Sequence, residues 1–362
     1  MEQERIIRTE ISAERILVIS DIHGSLGLFR ELLEKMEYRP GQDALVILGD
    51  IVRKGTESIA TLRYVMELSK QEQVYVLAGN NDIFVCEAPA KDILSSVRHF
   101  GKRALFGEMA LALGFPFPET EEETAILQAK AKREFALEFE FLRSLPYILE
   151  TERFLFTHAG LESENLEQQN REFVTAAVRF HDAVNYTFRK MLLVGHYPVN
   201  NFHGNHLSNQ PLYHEKCNVL SIDGGNNVNL IGQLNGIILN NKTGEWSSLS
   251  ADSFPKIPAP CSQRARWGTA VRWPENRVEV LERGEKTSLC RISKTGAVFR
   301  IFNEFLYESD GQTYTQNTTD SMLEVTKGET VSLISEGEDC MMILKDGEAG
   351  LLFPDQKTAS GL

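Results

Sequence analysis

The sequence has few of the features that mark a secreted, membrane-bound or nucleic-acid-binding protein. Its five cysteines, Cys86, Cys217, Cys261, Cys290 and Cys340, are widely scattered and never form a C-x-x-C pair. A disulfide framework or zinc ribbon is therefore not expected, and a reducing compartment fits best. No apolar run approaches the roughly 20 residues that span a bilayer. The opening MEQERIIRTE is too polar for a signal peptide. Nor is there a basic cluster: 38 Lys and Arg stand against 51 Asp and Glu, a net charge of −13. Binding to a nucleic-acid backbone is a poor expectation on that balance. A soluble cytoplasmic protein with no nucleic-acid or membrane partner follows. Such an acidic chain can still bind phosphate, because bound metal ions dominate the local field.

What is present is a repeating unit between Arg15 and Asp82. Three apolar strands each end in a polar cluster: ILVIS before Asp21-Ile22-His23-Gly24, LVIL before Gly49-Asp50, and VYVLA before Gly79-Asn80-Asn81-Asp82. Asp21 and Asp50 are 29 residues apart, and Asp50 and Asn80 are 30 apart. Phe29, Leu32, Leu33 and Met36 fall on one face of a helix between the first two strands. Ile59, Leu62, Val65 and Met66 do the same between the next two. Strand, helix, strand, helix, strand with short links predicts a parallel sheet covered by helices, the α/β class. Ligands of such sheets sit beyond the carboxyl ends of the strands, where every one of these polar clusters lies.

With 362 residues, two domains are expected rather than one. Residues 84–150 turn to helical periodicity and read as an insertion flanking the site, with Ile126, Ala129, Phe135, Phe139 and Leu142 as its buried stripe. The acidic tract 119–123 reads as a solvated loop or helix start. Strand signals return at FLFT before His158-Ala159-Gly160-Leu161, at MLLV before Gly195-His196-Tyr197-Pro198, and at VLSI before Asp223-Gly224-Gly225. GQLNGIILN (232–240) reads as a closing strand. The expected boundaries are a catalytic domain over 1–245, a Ser-, Pro- and Ala-rich linker over 246–268 and a β-rich region over 269–362. That last region carries short alternating strands with turn signals. Its YTQNTTDSMLEVTKGETVSLI and KDGEAGLLFPD resemble the opening and closing strands of an SH3-like barrel. Few aromatic residues for a proline-recognition groove accompany them, so packing against the catalytic domain or self-association is the expected role, with partner binding as the alternative.

Asp21, His23, Asp50, Asn80, His158 and His196 combine oxygen and nitrogen donors, which suits Mn, Fe or Zn better than Ca. Two cations need a shared carboxylate, and Asp50, on the middle strand, is the natural bridge. Two ions about 3.5–4 Å apart can clamp a phosphoryl group and activate a bridging water for in-line attack. An aspartate after a strand is often only a helix cap, and a lone histidine is usually structural. Six such residues at strand ends outweigh that plain explanation.

Asp-x-His-Gly, Gly-Asp-x-Val, Gly-Asn-x-Asp, His-Ala-Gly-Leu and Gly-His-x-Pro, in this order over about residues 15–240, resemble the calcineurin-like metallophosphoesterases. The likeness is to the branch of phosphoprotein phosphatases and symmetrical diadenosine tetraphosphatases. It implies a layered sheet core flanked by helices and two divalent ions: one on Asp21, His23 and Asp50, the other on Asp50, Asn80, His158 and His196. It also implies hydrolysis of a phosphorylated substrate, whether protein, small compound or dinucleoside polyphosphate.

Two departures from the family pattern bear on catalysis. Asn81 stands where the family carries a proton-donating His, and Arg53-Lys54 stand where protein phosphatases carry an Asp that orients that His and an Arg that grips phosphate. The expectation is an enzyme slowed in protonating its leaving group, or, in the extreme, a scaffold that binds metal and phosphate without turnover. Arg53, Lys54 and Arg179 are the candidate phosphate-binding cations. His203 and His206 are candidate replacement donors, with exposed loop histidines as the plainer reading. Asp82 is placed with Asn81 at the catalytic turn, where it could support a ligand or hold the turn together.

Overall fold

The structure is a computed structural model that describes residues 5–180, 185–202, 204 and 206–354. The strands of its first part are β1 (Ile6–Arg8), β2 (Arg15–Ile19), β3 (Ala44–Ile47), β4 (Val74–Val76), β5 (Ile148–Glu150), β6 (Phe154–Thr157) and β7 (Met191–Val194). They continue with β8 (Leu207–Ser208), β9 (Leu212–His214), β10 (Val219–Ser221), β11 (Leu234–Asn240) and β12 (Trp246–Ala251). The helices are α1 (Leu26–Lys35), α2 (Ser58–Leu68), α3 (Asn80–Glu87), α4 (Ala90–Phe100), α5 (Leu105–Ala112), α6 (Glu121–Glu134), α7 (Ala136–Ser144) and α8 (Arg171–Ala176).

Two compact units result. The first comprises residues 1–197, 211–227 and 234–251, and the second 198–210, 228–233 and 252–362. In the first, one sheet has the order β12-β11-β2-β3-β4 and another the order β1-β5-β6-β7-β10-β9. β2, β3 and β4 are parallel neighbours, as are β6, β7 and β10. Side-chain alternation along each strand divides the core in two. Ile16, Val18, Ala44, Val46, Phe154, Phe156, Leu193 and Leu220 face one another in a layer between the sheets. Leu17, Ile19, Leu45, Ile47, Leu155 and Leu192 face outward, to a layer shared with the helices. Both faces of the central strands are covered, which is why they read as continuous apolar runs.

The helical faces read from the sequence bury as expected: Phe29, Leu32, Leu33 and Met36 in and just after α1, and Ile59, Leu62 and Val65 in α2. Met66 is half-buried. The stripe read across 126–142 is corrected by the structure. The helix breaks at Phe135 (φ −112°, ψ 37°), so α6 and α7 have independent phases. In α6 the buried residues are Thr124, Leu127 and Ala131, while Ile126 is 59% exposed. Phe135, Phe139 and Leu142 are buried as read. The acidic tract opens α6, where Thr120 Oγ1 accepts a hydrogen bond from Glu123 N at 3.2 Å and Glu121–Glu123 lie at the positive end of the helix dipole.

Residues 246–251, read as the start of a linker, are strand β12, paired along its length with β11. The apparent lack of periodicity in WSSLSA is that of a half-exposed edge strand. Lys256–Pro258 pairs with Thr330–Glu336, so two stretches of the supposed linker are strands.

The second unit is all-β. Its five-stranded sheet runs Lys256–Pro258, Thr330–Glu336, Met341–Lys345, Glu348–Leu352 and finally β8, a strand from the middle of the chain. A three-stranded sheet (Val278–Arg283, Thr287–Ile292, Val298–Phe302) and two short ribbons complete it. Phe299, Ile301, Phe305, Met342, Leu344 and Leu351 fill its core. Buried amides tie the inserted segments into this unit. Asn200 Nδ2 donates to Asn209 Oδ1 at 2.9 Å, Asn317 Nδ2 donates to Asn200 Oδ1 at 3.1 Å, and Asn209 Nδ2 donates to Ile231 O at 2.6 Å. Within this unit β8 pairs Ser208 with Glu348.

Candidate metal centre

The turns after the strands are stitched together by backbone hydrogen bonds. Asp21 N donates to Gly49 O at 3.1 Å, His23 N to Asp50 O at 2.9 Å, and Gly195 N to His158 O at 2.8 Å. His196 N donates to Asp21 Oδ2 at 2.9 Å and so joins the two sheets at their strand ends. Asp21, His23, Asp50 and His196 all have positive φ (56°, 49°, 53° and 66°), a region non-glycine residues enter only at a cost. Four of the six candidate ligands sharing that conformation marks a place where geometry is bought with strain. Close approach also dictates glycine at 79, where a Cβ would lie 2.3 Å from Asp50 N.

The six side chains converge. Donor atoms of Asp21, His23 and Asp50 lie within 4.8 Å of one another, and so do those of Asp50, His158 and His196. Asp50 belongs to both groups. Its Oδ2 is 3.6 Å from His23 Nε2 and its Oδ1 is 3.5 Å from His158 Nε2. Asn80 Oδ1 is 3.2 Å from His158 Nε2 and 3.0 Å from His196 Nδ1. Separations near 3.5 Å are long for hydrogen bonds. They suit donors sharing a cation, since bonds of about 2.0–2.2 Å place neighbouring ligands roughly 3–3.6 Å apart.

The donor set passes a second test of fit. Asp21 Oδ1 is buried and has no hydrogen-bond partner, a position that is costly without a positive charge beside it. His158 Nδ1 lies 2.9 Å from Leu48 O, which fixes the ring and leaves Nε2 free to ligate. Burial holds His23 well below the ordinary imidazole range and lowers His158. Burial and His158 together bring His196 down to about 4. All three rings are thus neutral near pH 7, as ligation requires. For Asp50, burial is outweighed by His158, His23, Lys54 and His196, and its carboxyl is held below the usual range. Burial and the Asp50 charge push Asp21 up to about 6.

A pH dependence follows. Below pH 6 the Asp21 carboxylate carries a proton that a cation must displace, whereas His196 is neutral down to about pH 4. Mn²⁺ should therefore bind roughly fourfold more weakly at pH 5.5 than at pH 7.5 through Asp21 alone. Titration calorimetry at the two values checks this; equal affinity would contradict it.

The remaining site residues separate by role. Asp82 is fully buried and its carboxylate accepts from three backbone amides: Gly79 N at 3.0 Å, Ile51 N at 3.0 Å and Val52 N at 3.4 Å. It locks the Asp50 turn to the start of α3, and burial with the Asp50 charge pushes it up to about 8. Asn81 is buried against the Asp50 carboxylate: its N donates to Asp50 Oδ1 at 2.8 Å, and its Nδ2 donates to Asp50 Oδ2. Its Oδ1 accepts from Arg53 Nη1 at 2.7 Å.

Arg53, read as a phosphate clamp, is turned away from that task. Its guanidinium also donates to Ser96 Oγ at 3.1 Å and lies over the Phe84 ring at 3.9 Å, with Phe100 at 5.6 Å. Held by two aromatic rings and at two nitrogens, it is a partner for Asn81. The free-standing cation beside the ligands is Lys54, whose Nζ is 3.2 Å from His23 Nε2. Arg53 and Lys54 share positive φ (73° and 67°), and the turn is held by Arg53 N donating to Ser58 Oγ at 3.0 Å and Arg103 Nε to Lys54 O at 2.5 Å.

Arg179 is exposed, with φ 51°, beside Phe180, whose ring packs against the Gly160 position of the His158 turn. His206 lies in the second unit, with its ring 5.2 Å from Trp267 and Nε2 4.0 Å from Glu348. His203 is outside the described residues.

Sequence reasoning assigned no role to the turn 223–227. Asn226 Nδ2 donates to Ile22 O at 2.9 Å, and Asn227 Nδ2 donates to His23 O at 3.2 Å and Ser25 Oγ at 2.7 Å, so this turn clamps the Asp21–His23 turn. The signal was available: VLSI-Asp223 repeats the strand-then-Asp pattern of the other ligands.

Symmetrical bis(5'-nucleosyl)-tetraphosphatases are among the curated relatives. That of Chromobacterium violaceum is 27% identical over 149 residues, 41% of this chain and 44% of that protein. That of Glaesserella parasuis serovar 5 is 30% identical over 149 residues, 41% of this chain and 45% of that protein. The chain thus spans less than half the length of these relatives. Among solved structures, the cold-active protein-tyrosine phosphatase of a psychrophilic Shewanella is similar at a TM-score of 0.41 and 18% identity, covering 68% of this chain and 82% of that one. Residues 14–231 match the family described as calcineurin-like phosphoesterase. That span takes in more than half of the 362 residues and all six converging side chains, and on it the chain belongs to the calcineurin-like phosphoesterase family.

Proposed function

We propose that this protein is a metal-dependent phosphoesterase that cleaves phosphate bonds whose leaving group departs without a proton from the enzyme. The observation that carries this reading is the Arg53–Asn81–Asp50 chain of hydrogen bonds. Asn81 occupies the position of the family's proton donor, yet an amide has no proton to give at neutral pH. Both ends of its side chain are engaged, and its Arg53 partner is a permanent cation that neither accepts nor relays a proton.

In this reading Asp50 would be shared by two divalent cations (Mn, Fe or Zn), with Asp21 and His23 as further ligands of one and Asn80, His158 and His196 of the other. The bound pair would polarise a phosphoryl oxygen and lower the pKa of the attacking water. Lys54 attracts the phosphate oxyanion as a point charge rather than a fork. Leu48 O orients His158, and Asp82 keeps the Asp50 and Asn80 turns in register. The phosphorus–oxygen bond to the leaving group breaks with its electron pair on that oxygen, which takes its proton from solvent.

Such a site favours aryl phosphomonoesters and phosphoanhydrides over alkyl esters, since a serine-type alkoxide is a poor leaving group. Dinucleoside polyphosphates are the second reading. They carry an anhydride leaving group, and they fit the names of the relatives above. The test is hydrolysis of a panel by Mn²⁺-loaded protein: an alkyl phosphate, an aryl phosphate and diadenosine tetraphosphate. The expected result is turnover of the last two with the alkyl ester at least about 10²-fold slower. Equal rates across the panel would remove the leaving-group argument. No turnover of any substrate despite bound metal would make the chain a binding protein.

A further inference from the structure

Among the described residues, the carboxylate oxygens that are buried and unpartnered are two, Asp21 Oδ1 and Asp223 Oδ2. The first belongs to the candidate ligands. The second does not: Asp223 lies at the end of β10, 1% exposed, in the turn that clamps the Asp21–His23 loop. Its Oδ1 accepts from Gly225 N at 2.7 Å, which closes an Asx turn and fixes the side chain. That contact accounts for one oxygen only.

A buried carboxyl with an idle oxygen costs on the order of 1–3 kcal/mol, and more if charged. The neighbouring charges do not relieve it, because Asp21 and Asp50 both act on it with the same sign and Lys54 only partly offsets them. A chain that needed only the turn could use Asn, which closes the same Asx turn without placing a third carboxylate near two others.

We propose that Asp223 is a positioning carboxylate for the cation held by Asp21, His23 and Asp50, acting from the layer outside the direct ligands. Asp223 is not among the donor atoms that lie within 4.8 Å of one another, so it would serve through its idle oxygen, by accepting a hydrogen bond from a water held on that cation. Outer carboxylates of this kind typically raise metal affinity 10–100-fold. The inference rests on the two-cation reading above and adds to it a residue on the side of the first ion only.

The test is Mn²⁺ titration of the full chain, with binding followed by calorimetry and bound metal counted by elemental analysis, for the wild type, Asp223→Asn and His23→Ala. Asp223→Asn keeps the acceptor for Gly225 N and removes the idle carboxylate oxygen. The expected result is wild type with two Mn²⁺, and Asp223→Asn with one of them weakened at least about tenfold. That ion should be the one lost in His23→Ala, and the metal-free melting temperature should be unchanged or higher. A merely structural aspartate would lower the melting temperature when replaced and leave the metal affinity alone. Two ions of wild-type affinity in Asp223→Asn would overturn the assignment while leaving the centre standing. No Mn²⁺ in the wild type would overturn the centre and this role with it. Should Asp223→Asn fail to fold, Asp223→Ser, whose hydroxyl can still accept from Gly225 N, is judged by the same titration.

Discussion

Asp50→Asn should strip the protein of both cations and reduce phosphoesterase activity by at least about 10³-fold, several kcal/mol of transition-state stabilisation. The size of the effect comes from sharing. His23 Nε2 approaches one Asp50 oxygen at 3.6 Å and His158 Nε2 approaches the other at 3.5 Å, so no other single residue serves both groups. An amide presents one oxygen and one nitrogen and cannot bridge. Loss of a peripheral ligand such as His196 should by contrast remove one ion and spare the other. The apo protein should lose only a little stability in Asp50→Asn, because the new amide sets a donor against Asn81 N or Nδ2, which both donate to Asp50, while a like-charge repulsion is relieved. Burial and the Asp50 charge raise both Asp21 and Asp82, and removing that charge lessens the repulsion among them. Elemental analysis, kcat and metal-free melting temperature check the three parts. A variant that retains two ions would contradict the bridge.

The second large effect is a gain. Arg53→Asp and Asn81→His together should raise hydrolysis of an alkyl phosphate by roughly 10²-fold or more, with little change for an aryl phosphate. Neither single change should do so. Asn81→His alone places an imidazole against the Arg53 guanidinium, now 2.7 Å from the amide oxygen, which discourages the protonated form. Arg53→Asp alone puts a carboxylate among Phe84, Phe100 and Ser96 and leaves Asn81 without its donor. The double variant pairs acid and base at the same two positions. The alkyl-to-aryl rate ratio, measured for all four proteins, gives the coupling directly. Additive effects would mean that the two residues do not act as a pair.

Much of this was legible in the chain because it depends on local order. An apolar strand delivers the residue after it to a sheet edge, and parallel neighbours deliver theirs to the same edge. The six side chains could therefore be placed together without knowing any distance. The destination of Arg53 was not legible. It depends on Phe84, Ser96 and Phe100, which come from α3 and α4 of the helical insertion, and no spacing rule connects those positions to a turn far earlier in the chain. The phase of α6 was lost for a different reason: a single break at Phe135 resets the helical period, and Phe135 itself carries no breaker signal. WSSLSA was passed over because an edge strand with one wet face can be polar enough to pass for a linker.

The discontinuous make-up of the second unit has a consequence for biosynthesis. Residues 198–210 and 228–233 leave the ribosome long before the strands they join, and Ser208 must wait for Glu348 to find its pairing partner. The Asn200 side-chain oxygen likewise waits for the Asn317 amide that donates to it. A chain halted after β12 would hold every candidate metal ligand yet lack the strand on which β8 pairs and the Asn317 amide that reaches Asn200. Completion of the second unit thus waits for the strands between Val278 and Leu352, and in a nascent chain that unit should gain protease resistance only after they are made.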